Sequence, residues 1–159
     1  ISAGELDDKM FETISDLQVP YIMMHMKGTP QNMKEKAHYD DMMDEILKYF
    51  ARKYDQLRNM GVNDVILDPG FGFAKNIEQN FLLMNKLKQF KVFDLPLLVG
   101  ISRKSMIFKT LNIKPKEALN GTTVLNTIAA VQGADILRVH DVKQAKEVIQ
   151  LLQKLENAQ

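Results

Sequence analysis

Short, continuously apolar runs alternate along the chain with longer stretches in which apolar residues recur every three or four positions. Continuous apolar runs are typical of buried strands, and the longer period is typical of amphipathic helices. The predicted strands lie at 19–25, 64–69, 95–100 and 135–140. The predicted helices follow at about 34–60, 77–90, 102–111, 115–132 and 142–155. The helical spacing of Met10, Ile14 and Leu17 predicts one more helix before the first strand.

Apolar strands that alternate with helices indicate the α/β class, with a parallel sheet covered by helices. Two architectures fit this order, an open doubly wound sheet and part of a (β/α)8 barrel. The barrel is favoured because polar or unusual residues end every strand, and such residues would form one ring on the active-site face of a barrel. These strand-end residues are His25, Asp68, the segment 100–104, Arg138 and His140. A full barrel needs about 250 residues, so we expect residues 1–159 to form a single partial domain.

Composition narrows the possible functions. The net charge of +1 gives no reason to expect a nucleic-acid or membrane partner. The absence of cysteine excludes disulfides and thiolate metal sites and fits a reducing compartment. No apolar run approaches the roughly 20 residues of a membrane helix. Because the chain starts at Ile1 rather than at methionine, we interpret it as a piece of a longer protein.

The segment LDPGFGF places an acid, a turn and two aromatic rings close together. Asp68 ends a predicted strand, and a carboxylate in a partly apolar cleft can accept two parallel hydrogen bonds from a guanidine-like edge. Phe71 and Phe73 could pack on a flat ligand. The same residues also fit an ordinary Asp-Pro-Gly turn after a strand. The segment alone leaves both interpretations open.

The segment VGISRKS combines a strand end with a basic helix start. Gly100 would let a ligand approach the backbone closely, and Ser102 is placed to cap the next helix. Arg103, Lys104 and Ser105 then fall in its first turn, where cations oppose the helix dipole. Basic side chains beside free N–H groups point to an anionic ligand. A solvated basic turn is the alternative interpretation.

The segment RVH closes the last predicted strand. Arg138 and His140 are two residues apart and therefore share a face. Such a pair at a barrel mouth fits a phosphate clamp. The alternative is an ion pair of Arg138 with Asp135 or Asp141.

The first predicted strand ends in MMH. Met24 could lie against a flat ligand, because thioethers pack well on aromatic systems. His25 stands alone, without a second metal-ligating or catalytic residue nearby in the sequence. We therefore interpret His25 as a structural histidine.

Four segments together resemble the dihydropteroate synthase family. They are MHMKGTPQNM, LDPGFGFAKN, LLVGISRKSMI and NGTTVLNTIAAVQGADILRVHDV, in the order of that family. The resemblance implies a (β/α)8 barrel, of which this chain would cover roughly the last four β/α units. It also implies a transferase of folate biosynthesis that is a sulfonamide target. Such enzymes condense 6-hydroxymethyl-7,8-dihydropterin pyrophosphate with 4-aminobenzoate to give 7,8-dihydropteroate and pyrophosphate.

The resemblance assigns roles to matching residues of this chain. Asp68 matches the carboxylate that holds the pterin. Lys104 matches a lysine that contacts the pterin near the aminobenzoate, and it is a candidate catalytic residue together with Arg138 and His140. The remaining matches are Met24 and Gly100 in the pterin pocket, Phe73 and Ser105 beside the aminobenzoate, and Arg138 and His140 at the leaving pyrophosphate.

The resemblance also implies parts that this chain does not contain. The cofactor would be Mg²⁺, with its protein ligand in the N-terminal half of the barrel and none in this chain. We therefore expect the chain alone to be inactive, to need the N-terminal half as a partner, and to self-associate through open sheet edges and apolar surface. The intact enzyme is expected to be a cytoplasmic homodimer.

Two other functions fit parts of the pattern. A pterin-binding methyltetrahydrofolate:corrinoid methyltransferase domain would share the barrel and the acid. The basic segment around Lys104 and the pair Arg138 and His140 argue against it, since methyl transfer has no pyrophosphate to bind. A non-catalytic half-barrel module is the third hypothesis, and it predicts no pterin affinity even when the other half is supplied.

Overall fold

The computed structural model describes residues 2–158, in which strands and helices alternate as the sequence predicts. The interpretation drawn from Ile1 lies outside the described residues. The strands are β1 (Tyr21–Met24), β2 (Val65–Asp68), β3 (Leu98–Val99) and β4 (Ile136–Leu137). The helices are α1 (Met10–Leu17), α2 (Met42–Asn59), α3 (Ile77–Asn85), α4 (Ser105–Phe108), α5 (Leu119–Val131) and α6 (Val142–Glu156). Short 3-10 helices span Leu87–Phe93 and Pro115–Glu117.

The four strands run parallel and follow one another in space as they do along the chain. β1 pairs with β2, and β3 pairs with β4. A parallel bridge between Leu67 and Leu97 joins the two pairs. Doubly wound sheets reverse their strand order at a switch point, whereas barrel strands keep chain order. The observed order therefore agrees with part of a barrel and brings all four carboxyl ends to one edge.

One hydrophobic core holds the strands and helices together. α2 contributes Ile46 and Phe50, both without exposed surface, and the strands contribute Leu67 and Val99. The ring of Phe50 meets that of Phe90 edge to face, with 5.8 Å between the ring centroids. Burying such side chains is the main force that fixes the sheet against its helices.

The first long helix is shorter than predicted. The helix predicted for 34–60 begins only at Met42, because the side chain of Asp41 accepts hydrogen bonds from the backbone N–H groups of Met43 and Asp44. This is the contact that starts a helix. The preceding residues form turns instead of helix. The prediction was wrong there because polar residues of this segment suit turns as well as an exposed helix face.

The helices after β2 and β3 also differ from their predicted bounds. The stretch at 77–90 splits into α3 and a 3-10 helix, and the stretch at 115–132 opens with a 3-10 turn at Pro115, which has no N–H to donate. The helix predicted for 102–111 shrinks to the four residues of α4. Its cap position is Lys104, so the prediction that Ser102 caps this helix was wrong.

The regular strands are shorter than the apolar runs that predicted them. β3 and β4 have two residues each, whereas six were predicted for either strand. The flanking residues still extend the pairing, because the N–H groups of Asp135 and Ile136 both donate to the carbonyl of Leu97. The apolar runs therefore show which parts of the chain run through the sheet, but they overestimate the length of regular strand.

The last two helices carry exposed apolar side chains. Val131 is 60% exposed, Leu151 68% and Leu155 69%. Each outer strand, β1 and β4, pairs with a single neighbour among residues 2–158. The apolar surface expected of a partial barrel is thus present, and self-association through it stays a prediction.

Candidate active site

The carboxyl ends of the four strands bring the predicted pterin residues together. Met24 and Asp68 end β1 and β2 and lie directly opposite each other in the sheet. Gly100 follows β3, and Arg138 follows β4 with its backbone N–H donating to the carbonyl of Val99 at 2.9 Å. Parallel strands present these ends at the same edge. Four residues that are far apart in sequence therefore line one surface.

Asp68 is a largely buried carboxylate that also starts a turn. One of its oxygens, Oδ1, accepts a hydrogen bond from the N–H of Gly70 at 2.8 Å. Burial raises the pKa of Asp68, and the nearby cations Lys104, Lys75 and Arg138 oppose that rise. The two interpretations of this segment are therefore compatible, since one oxygen serves the turn. The structure assigns no protein donor to the other oxygen among residues 2–158.

The turn after Asp68 requires glycine. Gly70 has a left-handed backbone with φ +71°, and a Cβ built there would collide with the carbonyl oxygen of His25. The nearest side-chain atom to that Cβ is the Cγ of Met24, at 3.4 Å. The loop can thus approach the end of β1 only because this position lacks a side chain.

Lys104 and Phe73 form the wall beside Asp68. The ammonium group of Lys104 lies 4.9 Å from the ring centroid of Phe73 and donates to the carbonyl of Phe71. Burial lowers the pKa of Lys104 to about 8, against the opposing attraction of Asp68. Ser105 follows as the first residue of α4 and is half-buried. The aromatic ring and the cation predicted from sequence are therefore neighbours.

Lys75 is a site residue that the sequence analysis missed. It is 8% exposed, and its Nζ lies 3.0 Å from Nδ1 of His25 and donates to the carbonyls of Gly70 and Phe73 at 3.1 Å each. Burial lowers the pKa of Lys75 to about 7. These contacts tie the loop after β2 to the end of β1. No local sequence pattern indicates this contact, because its partner His25 is 50 residues away.

Asn80 closes the same loop from the other side and was also missed. This residue of α3 is 2% exposed. Its Oδ1 accepts from the N–H of Gly72 at 2.7 Å, and its Nδ2 donates to the carbonyl of Asn76 at 2.6 Å. A buried amide that satisfies backbone groups in this way fixes loop geometry. The backbone around Phe73 is therefore held from two directions.

His25 is structural, as the sequence predicts. Its ring is 2% exposed and meets the ring of Tyr49 edge to face at 5.0 Å between centroids. Burial, reinforced by Lys75 and Lys27, lowers the pKa of His25 to about 2. The ring is thus neutral, and its Nδ1 shares a hydrogen bond with Lys75.

We expect His25 to make the fold acid-sensitive. Since the pKa of His25 in the folded chain lies below the unfolded value of 6.5, its contribution is complete above pH 6.5 and is lost as the pH falls toward 2. The slope from this one group approaches about 1.4 kcal/mol per pH unit. Urea unfolding at a series of pH values should show it, and His25→Gln should flatten the profile. The exposed His38→Gln is the matched control. Parallel profiles for the parent and His25→Gln would contradict the prediction.

Two ties join the loops after β3 and β4. The guanidinium of Arg103 donates to both carboxylate oxygens of Asp141, at 2.9 and 2.7 Å, and this lowers the pKa of Asp141. The hydroxyl oxygen of Ser102 contacts both the backbone N–H and the ring of His140. Arg103 therefore forms an ion pair with Asp141. The alternative interpretation of this segment as a solvated basic turn does not hold for Arg103.

Arg138 is not paired in the way the alternative interpretation required. Asp141 is held by Arg103, and Asp135 accepts from the N–H of Leu97 at 2.8 Å. Within residues 2–158 no ion pair involves Arg138. Its side chain is exposed and lies close enough to influence the pKa values of Asp68 and Lys104. The role of Arg138 as an anion-binding residue stays a prediction.

Neither a cluster of metal ligands nor a membrane-spanning helix is found in residues 2–158. No three or more His, Asp or Glu side chains cluster in residues 2–158 in a way that could hold a metal ion. In the same part of the chain, no helix combines the length and apolarity needed to cross a membrane.

The arrangement around Asp68 can accept a pair of N–H groups, pack on a flat ring and attract an anion, and no strong general base stands out.

Comparison with known proteins identifies relatives of this chain. Residues 1–140 match the family described as "Pterin binding enzyme". The dihydropteroate synthase of Escherichia coli strain K12 is 43% identical over 144 residues, which cover 89% of this chain and 51% of that protein. The chain thus spans about half the length of that curated relative.

Solved structures extend the likeness to the fold. The Yersinia pestis dihydropteroate synthase with a sulfonamide drug complex matches all of this chain and 58% of its own, with a TM-score of 0.95 and 38% identity. The Thermus thermophilus enzyme in complex with 4-aminobenzoate matches 94% of this chain and 62% of its own, with a TM-score of 0.90 and 31% identity.

Proposed function

The chain belongs to the pterin-binding enzyme family and has part of its (β/α)8 barrel, and from that premise we propose that it forms part of a dihydropteroate synthase. The reaction would join 6-hydroxymethyl-7,8-dihydropterin pyrophosphate to 4-aminobenzoate. The relatives with this name support the proposal, although the chain spans only 51% of the E. coli protein. The whole reaction therefore belongs to a longer assembly than this chain.

The placement of Asp68 is the observation that carries this proposal. A pterin presents a 2-amino group and a ring N–H side by side, and an ionised carboxylate accepts two such donors in parallel. Asp68 offers that carboxylate at the strand ends, opposite Met24 in the sheet, and Gly100 follows strand β3 at the same edge. The surrounding cations favour its ionised form. The flat pterin would lie on the surface that these strand ends form.

Arg138 and His140 would bind the pyrophosphate. When the bond between the pterin methylene carbon and the pyrophosphate oxygen breaks, the electron pair leaves with the pyrophosphate. Cations and N–H donors beside that oxygen stabilise the growing negative charge. Arg138, which is exposed and free of ion pairs in residues 2–158, is suited to this role. The resemblance stated above assigns the same pair to the leaving group.

The second substrate would enter beside Lys104, Phe73 and Ser105. The ring of Phe73 offers an apolar face for 4-aminobenzoate, and the half-buried Lys104 supplies positive charge near the reacting carbon. The neutral aromatic amine attacks the methylene through its nitrogen lone pair, forms the new carbon–nitrogen bond and releases one proton to solvent. No strong base is needed, in agreement with the residues present.

We also propose Mg²⁺ as the cofactor, with its protein ligand outside this chain. Residues 2–158 offer no cluster of three or more metal-ligating side chains, and no step above depends on the ion. The remaining proposals are a homodimer for the intact enzyme, the N-terminal half of the barrel as partner of this chain, and a cytoplasmic location. The absence of cysteine supports a reducing compartment.

We predict that this chain alone forms no dihydropteroate. Product should appear when a second polypeptide supplies the part of the E. coli relative that this chain does not match. Lys104→Met should then lower the rate about 100-fold or more, the usual cost of removing a charge-stabilising group. Lys109→Met, five residues later and exposed, is the matched control.

The measurement is release of pyrophosphate together with chromatographic detection of dihydropteroate. Turnover by the chain alone would show that it is sufficient and contradict the prediction. No product from the combined polypeptides, with no pterin affinity either, would favour the non-catalytic half-barrel module.

A further inference from the structure

Ser102 has an unusual position for a serine that was expected to cap a helix. It is 5% exposed and follows β3 in the segment that leads to α4. Its Oγ lies 3.2 Å from the backbone nitrogen of His140 and 2.9 Å from Nδ1 of the same residue. A single hydroxyl thus contacts both the main chain and the ring of one histidine across 38 residues of sequence.

The directions of these two hydrogen bonds can be worked out from the atoms. The backbone N–H of His140 can only donate, so Oγ of Ser102 accepts that bond. Nδ1 is the one acceptor that this hydroxyl contacts within residues 2–158. If Nδ1 carried a hydrogen, both contacts would donate to Oγ, and the buried hydroxyl hydrogen would have no acceptor. The hydroxyl therefore donates to Nδ1, which places the ring hydrogen on Nε2.

The neighbouring carboxylate does not reverse this choice. Asp141 is the charged residue next to His140 in sequence, and it could have attracted a hydrogen on Nδ1. Both of its oxygens are instead occupied by Arg103. The two loop ties therefore act together, since Arg103 engages the carboxylate and Ser102 orients the ring.

We infer that Ser102 is a positioning residue that holds neutral His140 in its Nε2–H tautomer, with that N–H available to an anion. The part of this inference that concerns pyrophosphate rests on the proposed function. This tautomer determines how His140 can bind an anion. His140 can donate a hydrogen bond from Nε2 whether or not the ring is protonated, so it binds the leaving group without first becoming a cation.

The tautomer can be measured without any ligand. The chain has three histidines, and long-range ¹H–¹⁵N spectra of the uniformly labelled chain at about pH 8.5, where an ordinary histidine is neutral, distinguish the two ring nitrogens of each. The expected spectrum has Nε2 of His140 protonated and Nδ1 bare. Ser102→Ala should give a mixture of tautomers, and Ser102→Thr, which keeps the hydroxyl, should restore the parent pattern. Ser15→Ala is the control, because that hydroxyl donates to the carbonyl of Met60 far from the site.

Calorimetric titration with inorganic pyrophosphate gives the functional readout. Ser102→Ala should bind about tenfold more weakly than the parent, which is the effect of one oriented hydrogen bond, while Ser102→Thr and Ser15→Ala should match the parent. An Nδ1–H tautomer in the parent, or an unchanged tautomer in Ser102→Ala, would overturn the inference. If the tautomers are as expected but pyrophosphate does not bind even with the second polypeptide present, the result would support the role of Ser102 and count against the proposed function.

Discussion

Asp68→Asn is expected to abolish measurable binding of 6-hydroxymethylpterin. The carboxylate can accept both parallel N–H bonds, whereas asparagine offers one oxygen and turns an N–H₂ toward a ligand that is itself a donor. Bonds to a charged group contribute about 1.5–3 kcal/mol each, so losing this pair weakens binding by about 100-fold or more.

The folded state should tolerate the Asp68→Asn change. Burial raises the pKa of Asp68, which means that the ionised form costs free energy in the fold. Asparagine removes that cost, and its oxygen can still accept the N–H of Gly70 as Oδ1 does now. Unfolding curves should therefore show no loss of stability at neutral pH, so that any loss of binding reflects recognition.

Calorimetric titration of the parent, Asp68→Asn and Asp64→Asn with 6-hydroxymethylpterin tests whether Asp68 binds the pterin. Asp64 is exposed directly before the same strand, and its backbone carbonyl, which any residue retains, accepts from the N–H of Tyr21. Equal affinities of the parent and Asp68→Asn would remove Asp68 from the pterin site. If neither protein binds, the pocket is not assembled in this chain, and the titration should be repeated with the second polypeptide present.

Gly70→Ala is expected to cost the fold on the order of 3 kcal/mol. One part of the cost is the left-handed backbone, which adds about 1–2 kcal/mol for a residue with a Cβ. The other part is the collision with the carbonyl oxygen of His25, a backbone atom that cannot rotate away, and forced overpacking of this kind costs about 1–3 kcal/mol.

Gly61 provides a control that separates the two parts. Its φ is +79°, close to the +71° of Gly70, but no atom lies within 4 Å of a Cβ built at this position. Gly61→Ala should therefore show only the backbone cost, about 1–2 kcal/mol. Urea unfolding of both variants measures the difference. Equal losses would mean that the loop after β2 moves aside without penalty, and the close approach to β1 would then have no structural importance.

The sequence predicted the parts of the site that follow from strand position. Continuous apolar runs located the four strands, and the residues at their carboxyl ends became neighbours because parallel strands share an edge. Asp68, Gly100 and Arg138 were predicted on this basis, and the structure brings them together. Their individual roles stay predictions.

Long-range side-chain contacts were beyond the sequence. Lys75 lies in the segment LDPGFGFAKN, where only Asp68 and the aromatic residues indicated a site, and the fold shows that His25 and two carbonyls surround it. Ser102 matched a helix-cap pattern, but its partner proved to be His140. Local patterns describe what a residue can do with its neighbours in sequence, and tertiary contacts can override that preference.

The same contacts set an order in which the site assembles. Both ties between the loops after β3 and β4 join residues 38 positions apart, and closing a loop of that length delays its formation relative to local structure. A growing chain that ends shortly after residue 108 already contains the segments of β1, β2 and β3 with Asp68 and Lys104. Arg138 and His140 have not yet been synthesised. During translation the residues of the proposed pterin side of the site therefore exist before those of the proposed anion-binding side.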